Sequence, residues 1–121
     1  MTRDITNDER ALVIKLVGRN FPDHSALQSQ LETCKVIDII NDEIIQFDVR
    51  SSERISVNNT VLGEGSVRDI DGVPIVLTLL QKDGCLWQLD IYRADGQIMK
   101  TSLCVDRIES LGYGQGLTLE F

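Results

Sequence analysis

The sequence has little of what catalytic and metal sites are usually built from, with one histidine and three cysteines in 121 residues. His24 has no second imidazole to help it, and acid-base or nucleophilic sites usually need a base oriented by a third group. Cys34, Cys85 and Cys104 are too dispersed for a zinc motif. We therefore expect no catalytic residue, no metal ion and no cofactor, in a chain that is not an enzyme.

Long apolar segments are also missing. Residues 1–10 are polar and charged, without the apolar stretch of a signal peptide, and no segment approaches the ~18 apolar residues of a membrane span. The cysteines are odd in number and each lies in an apolar run, which favours reduced core thiols over a disulfide framework. These patterns predict a cytoplasmic protein that makes no membrane contact.

Basic residues are in the minority, with 12 Lys and Arg against 19 Asp and Glu, so the formal net charge is −7. Nucleic-acid binding usually recruits several basic side chains to phosphates, and this balance disfavours it. A basic protein partner is permitted, although moderate acidity also serves solubility alone. The length predicts one domain, residues 1–121, large enough to bury a core unaided.

Helix signals are confined to residues 1–33. Thr6-Asn7-Asp8-Glu9 has the form of a capping box, and Gly18 supplies the residue without a Cβ that commonly ends a helix. A second, shorter helix is predicted after Pro22-Asp23, with Ala26, Leu27 and Leu31 turned toward the core. The two helices are amphipathic, so we expect both to pack on a sheet.

Residues 34–121 have the pattern of an antiparallel sheet, and the fold class is therefore α+β, with a β-meander of about five to seven strands. A hairpin is predicted around residues 41–43, a short strand at Ile55 to Val57, and a final edge strand at residues 117–121 after a glycine-rich loop. Asp-Gly is a strong turn signal, and three such pairs delimit the meander: Asp71-Gly72, Asp83-Gly84 and Asp95-Gly96.

The register of the central hairpin follows from its alternating pattern. A three-residue turn, Lys82-Asp83-Gly84 with a bulge, keeps the apolar positions on one face by pairing Leu79 with Trp87 and Leu77 with Leu89. The opposite face is then half apolar and half polar, and either the second helix or the C-terminal segment covers it, or it binds a partner. Its members are Val76, Thr78, Leu80, Leu86, Gln88, Asp90 and Tyr92.

Two short motifs start like ion-binding loops without completing them. Asp69-Ile70-Asp71-Gly72 resembles the start of a calcium loop, but the twelfth position, where an acid is needed, is Leu80. Gly63-Glu64-Gly65 lacks the following Lys and Ser or Thr of a phosphate loop. The calcium interpretation therefore fails, and Gly63-Glu64-Gly65 is better explained as a turn or bulge.

A partial family resemblance lies within residues 63–96. Its motifs are Gly63-Glu64-Gly65, Asp69-x-Asp71-Gly72-x-Pro74-Ile75 and Gly84-x-Leu86-x-x-Leu89-Asp90-x-x-Arg93-x-Asp95-Gly96. The pattern resembles a small bacterial family of unassigned biochemistry, similar in size and acidity to the immunity proteins of contact-dependent growth inhibition and related polymorphic toxin systems. The resemblance implies a cytosolic protein that binds the toxic domain of a cognate toxin, often a nuclease, and occludes its active site. We expect it to act as a monomer or weak dimer.

The partner-binding candidates come from charge and predicted placement. We expect Leu80, Leu86, Asp90 and Tyr92 to form the contact on the second sheet face, with Glu64, Asp69 and Asp71 as a nearby acidic rim. A regulatory or adaptor domain that binds another protein or a small ligand is the alternative. An enzyme that uses paired carboxylates ranks third, because it requires a cleft in which two acids face each other.

Overall fold

The fold combines two N-terminal helices with one antiparallel sheet, which confirms the predicted α+β class. The computed structural model describes residues 2–40, 43–100 and 102–113. The elements in chain order are β1 (Arg3–Asp4), α1 (Asn7–Val17), α2 (His24–Thr33), β2 (Lys35–Ile40), β3 (Ile44–Asp48), β4 (Val61–Arg68), β5 (Pro74–Lys82), β6 (Cys85–Arg93), a 3-10 helix (Val105–Arg107) and β7 (Glu109–Ser110). The predicted strand at residues 117–121 lies outside the described residues.

The sheet is less simple than one meander. Its strand order is β1-β2-β3-β6-β5-β4-β7. β4, β5 and β6 do form a meander, but β3 pairs with β6 through Ile45 and Leu89, so β3 and β4 are not neighbours. Residues 49–60 connect β3 to β4. The prediction of a short strand at Ile55 to Val57 within this connection is wrong. Ile55 instead donates one backbone hydrogen bond to Gly84 O at 2.8 Å.

Both helix predictions are confirmed, because their signals are local. Glu9 N donates to Thr6 Oγ1 at 3.1 Å and Thr6 N donates to Glu9 Oε1 at 2.9 Å, completing the capping box of α1. Gly18 ends this helix with a φ of 73°, a left-handed backbone conformation that glycine adopts without steric cost. Within the described ranges, neither helix nor any other is long and apolar enough to cross a membrane.

Helix α1 approaches the sheet closely at two glycines of β4. A Cβ placed on Gly63 would lie 2.1 Å from the backbone oxygen of Leu16 in α1, and one on Gly65 would lie 2.7 Å from Leu16 Cδ2. Gly63 and Gly65 pair with Leu79 and Leu77 of β5, which are both buried. Helix α1 therefore contacts the sheet face that carries Leu77 and Leu79, called the first face below.

Gln30 ties α2 to the end of the β5–β6 hairpin. Its side chain is fully buried, and its Nε2 donates to Gly84 O at 2.7 Å and to Glu53 O at 2.9 Å. Its Oε1 accepts from Leu86 N at 2.9 Å. A buried amide is tolerated when its polar atoms are satisfied, so this glutamine positions α2 rather than destabilising the core. Sequence reasoning did not single it out.

The predicted three-residue turn of the central hairpin is wrong. Asp83 and Gly84 both have positive φ, at 54° and 81°, so they form a two-residue turn of the type that suits hairpins. Lys82 then pairs with Cys85, and Gln81 with Leu86. One turn residue fewer than predicted shifts every pairing that follows.

A β-bulge then restores the apolar register. Trp87 is the extra residue, since Gln81 pairs with Leu86 and the next pair is Leu80 with Gln88. Beyond the bulge Leu79 pairs with Leu89, not with Trp87 as predicted. The bulge also brings Leu86 to the first face, where it is 1% exposed and belongs to the core, so its predicted place on the second face is wrong.

The cysteines occupy three different environments, and only one fits the predicted core position fully. Cys34 is buried, and burial raises the pKa of its thiol to about 11. Cys85 is partly exposed and Cys104 is exposed, so the expectation of a core position is wrong for Cys104. All three are free thiols in this structure.

The close approach at Gly63 predicts a large response to a single methyl group. Gly63→Ala should lower the free energy of unfolding by about 3 kcal/mol, because the new Cβ meets helix backbone that cannot move aside alone. Gly72→Ala is the control, since a Cβ there meets no atom within 4 Å and adds only the cost of its φ of +86°, about 1 kcal/mol. Urea unfolding measures both, and equal losses would contradict the contact.

Candidate functional site on the second sheet face

The face of the sheet opposite the first face, called the second face here, presents side chains from six strands. One row crosses it in register: Glu64 pairs with Thr78, Thr78 with Asp90, Asp90 with Ile44, and Ile44 with Ile40. The flanking rows add Asp38, Gln46, Gln88 and Leu80 on one side, and Glu109, Ser66, Val76 and Tyr92 on the other. Four of the seven residues predicted to bind a partner lie here: Glu64, Leu80, Asp90 and Tyr92.

Acidic side chains on this face lack opposite charges. Asp38, Glu64, Asp90 and Glu109 form no ion pair within the part of the chain that the structure describes. Asp90 accepts a hydrogen bond of 2.6 Å from Gln88 Nε2, which orients one carboxylate oxygen without neutralising the charge. The second face therefore carries four acids without an ion pair among the described residues, together with a base, Arg68, whose guanidinium donates to Gly72 O at 2.8 Å.

Glu64 is the most enclosed of these acids, at 7% exposed. It lies opposite Thr78 on one side, and on the other Leu111 N donates to its backbone oxygen at 2.9 Å. No donor to its carboxylate is found among residues 2–40, 43–100 and 102–113, and burial raises the pKa of this carboxyl above its usual value. A carboxylate held in this way gains more than a solvated one from an incoming cation.

Apolar side chains adjoin the acids. Tyr92 is 37% exposed, and Leu80 is half-buried beside Gln88. At the edge of the sheet, β1 pairs only with Lys35 and Val36 of β2. Beyond that pairing, Ile37 and Ile40 of β2 are each 39% exposed, and Ile40 belongs to the row of Asp90. Ile39 is also exposed, but its register with Ile45 and Leu89 places it on the first face. An aromatic ring and aliphatic side chains beside unpaired charges make a surface suited to protein recognition.

Asp69 and Asp71, the other two acids expected in the rim, do not lie on this surface: Asp69 is buried, and both contact Arg93. Arg93 Nη1 donates to Asp69 Oδ2 at 2.8 Å and to Asp71 Oδ2 at 3.0 Å. Arg93 Nη2 donates to Asp95 Oδ2 at 2.6 Å. The guanidinium thus joins the β4–β5 turn to the end of β6, where its strand partner Ile75 belongs to the first face.

The electrostatics of this cluster are those of a structural ion network. Asp95 is most affected: the Arg93 guanidinium lowers the pKa of its carboxyl to about 2. Burial opposes ionisation of Asp69, but Lys100 N and Arg93 together hold the pKa of that carboxyl below its ordinary value. Asp71 is partly exposed and also lies 3.3 Å from Lys100 Nζ. These charges are compensated internally, unlike those of the second face.

A groove of about 620 Å³ lies between residues 54–60 and the β5–β6 turn. Lys82 Nζ lies 5.5 Å from the centroid of the Trp87 ring, and Arg54 adds a second cation. Its one acid is Asp83. Among the described residues no group of three or more His, Cys, Asp or Glu is arranged to hold a metal ion.

Arg93→Lys should lower the free energy of unfolding at neutral pH by several times as much as Arg50→Lys. The guanidinium of Arg93 directs a fixed fork of donors to three carboxylates, and the single ammonium of a lysine cannot reach all three. Arg50, in contrast, contacts only the exposed Asp48, at 2.7 Å. The contribution of Asp95 is complete above its usual pKa of 3.8 and is lost as the pH falls to about 2, so the deficit should shrink over that interval. Urea unfolding across pH checks both statements, and equal losses for the two variants would contradict them.

Glu64→Gln should stabilise the fold at neutral pH. Because the pKa of Glu64 is raised in the folded protein, ionisation costs stability above that pKa, and this cost disappears as the pH falls below the ordinary value of 4.5. The gain over the unmodified chain should therefore shrink on acidification. Glu109→Gln, which changes an exposed acid of the same face, should change stability little at neutral pH. A destabilised Glu64→Gln variant would show that the carboxylate has a partner in the fold.

Comparison with known proteins places the chain in a family without assigning an activity. No curated protein and no solved structure matches it. Residues 2–102 match a family described as a domain of unknown function, DUF6984, and this segment includes Glu64, Asp90 and Arg93. Because the match spans most of the 121 residues, the chain belongs to the DUF6984 family.

Proposed function

We propose that this chain is an immunity protein, which binds a basic toxin domain through the second face and occludes the toxin's active site. The observation that carries the proposal is a set of acids on that face that form no ion pair with any described residue, Asp38, Glu64, Asp90 and Glu109, beside the exposed ring of Tyr92. The sequence resemblance supports the same function. The proposal takes the chain to work in the cytoplasm, without catalysis or a cofactor, as a monomer or weak dimer.

Electrostatics support a basic partner over an acidic one. A toxin that cleaves nucleic acid must present a positive surface to phosphates, and an acidic inhibitor is drawn to that surface. With a formal charge of −7, copies of this chain repel one another and also repel nucleic acid. Steering of this kind raises association rates at low salt and weakens as salt is added.

Apolar anchors would supply the remaining affinity. Tyr92 and Leu80 lie next to Asp90 in the register of the sheet, and aromatic side chains near the centre of an interface contribute most to binding. Leu86 is in the core and has no part in this contact. Asp69 is engaged by Arg93, which leaves Glu64 and Asp90 as the central acids of the proposed surface.

A regulatory or adaptor domain is the second candidate, and the β2 edge favours it. Ile37, Ile39 and Ile40 are exposed on a strand whose outer side β1 covers only at Lys35 and Val36. An exposed edge of this kind accepts an additional strand from a partner peptide. A partner unrelated to toxins, bound along β2, would support this candidate.

The proposal predicts that charge on the second face controls association with the toxin. The toxin would be the product of the adjacent upstream reading frame, whose toxic domain should be harmless when co-expressed with this chain. The double variant Asp38→Lys and Asp90→Lys should reduce the association rate at low salt by about tenfold or more and flatten its dependence on salt.

Glu32→Lys together with Asp8→Lys is the control, because it makes the same change of charge at exposed positions on the two helices. Stopped-flow association rates at several salt concentrations distinguish the two double variants. The association rate of the control at low salt should fall much less than that of the sheet variant. Equal losses would place recognition in the net charge rather than in the second face, and no binding by the unmodified chain would refute the immunity function.

A further inference from the structure

Glu64, Thr78 and Asp90 lie side by side on three adjacent strands of the second face. Their register pairs Glu64 with Thr78 and Thr78 with Asp90. Adjacent strands lie about 4.8 Å apart, so the Cα atoms of the two acids are separated by roughly 10 Å. Two flexible carboxylates at this separation can both reach a group placed above Thr78, whose hydroxyl offers a third oxygen.

The carboxylate of Glu64 is the unusual member of this row. The residue is more than nine-tenths buried, and its side chain has no hydrogen-bond donor within the described ranges. Gln81 Oε1 is nevertheless the one fully buried side-chain polar atom without a partner in those ranges. The oxygens of Glu64 are not in that class, so they are open either to solvent or to a donor outside those ranges.

Elsewhere in the fold, carboxylates are paired with a buried arginine, Arg93. Around Arg93, three carboxylates from different positions of the chain converge on one guanidinium, at distances of 2.6 to 3.0 Å. The guanidinium divides its donors among the three acids. Glu64 and Asp90 lie in one row on either side of Thr78, and no basic side chain of the described residues contacts either carboxylate.

We propose that Glu64, Thr78 and Asp90 form the receiving site for one arginine side chain of the bound protein, whose guanidinium lies between the two carboxylates. This inference rests on the proposed function, because it names the group that the second face recognises. Arginine suits the site better than lysine, since its planar fork directs donors to opposite sides and its weaker hydration lowers the cost of leaving water.

Enclosure of Glu64 strengthens this recognition. A cation beside the carboxylate favours its ionised form, so the raised pKa of Glu64 should fall when the guanidinium binds. Binding therefore releases protons when the solution pH lies near that pKa, and it weakens on further acidification. Asp90 keeps one oxygen on Gln88 Nε2 and offers the other to the ligand.

The test uses methylguanidinium chloride as the probe and methylammonium chloride as the matched salt, at constant ionic strength. Carbon-13 resonances of the Asp and Glu carboxyl groups report binding to each acid. Methylguanidinium should shift the carboxyl resonances of Glu64 and Asp90 together, along one weak but saturable binding curve. It should also lower the pKa of Glu64. Methylammonium should bind more weakly, and its shifts should not saturate in the same range.

Two variants test the site, and two others are the controls. Glu64→Gln should weaken binding of the probe by about tenfold, and Asp90→Asn should weaken it by a smaller factor. Asp38→Asn and Glu109→Gln remove the same charge from the same face outside the row, and should stay within about twofold of the unmodified chain. Far-ultraviolet circular dichroism checks that each variant is folded.

Equal weakening by all four variants, or shifts spread over every exposed acid, would overturn the site and leave only diffuse charge. Failure of the site and failure of the proposed function are distinguishable. If the toxin binds Glu64→Gln and the unmodified chain equally well, the site is wrong and the immunity function stands. If the probe binds as described but the toxin does not bind, the immunity function is wrong and the guanidinium site stands.

Discussion

The approach of α1 to β4 at Gly63 is the constraint on which the arrangement of the molecule depends. Helix backbone comes so near the strand that no side chain fits between them, since a Cβ there would lie 2.1 Å from Leu16 O. Gln30 holds α2 against the end of the β5–β6 hairpin, with hydrogen bonds to Gly84 O and Leu86 N. Both helices thereby contribute side chains to the core on the first face, and neither helix covers the acids of the second face.

Two clusters of acidic residues in this chain differ in whether their charges are compensated within the fold or remain open to a binding partner. Asp69, Asp71 and Asp95 surround Arg93, so their charges are compensated within the fold and tie the β4–β5 turn to β6. Glu64 and Asp90 have no such cation among the described residues, although Glu64 is nearly as enclosed as Asp69. A fold gains little from an enclosed, uncompensated carboxylate, which is why a role in recognition accounts for it better than a role in stability.

The confirmed predictions rest on signals from residues close together in the sequence. The wrong predictions concern features that depend on contacts between residues far apart in the sequence. The capping box at Thr6 and the Asp-Gly turns are set by residues a few positions apart. The Trp87 bulge accompanies contacts that no local pattern reveals, such as Gln81 N with Thr60 O and Leu86 N with Gln30 Oε1. Leu86 was misplaced for this reason. Asp69 was misplaced because its partner Arg93 is 24 residues away, although an arginine among three Asp-Gly turns was a usable signal.

The central claim is that a protein partner covers the second face, and carboxylate footprinting of the complex tests it most directly. Carbodiimide labelling of free and toxin-bound protein, read by mass spectrometry, compares the accessibility of individual acids. The account predicts protection of Asp38, Glu64, Asp90 and Glu109, with unchanged labelling of Asp8 and Glu32 on the helices. Protection of the helix acids with unchanged labelling across the second face would contradict it.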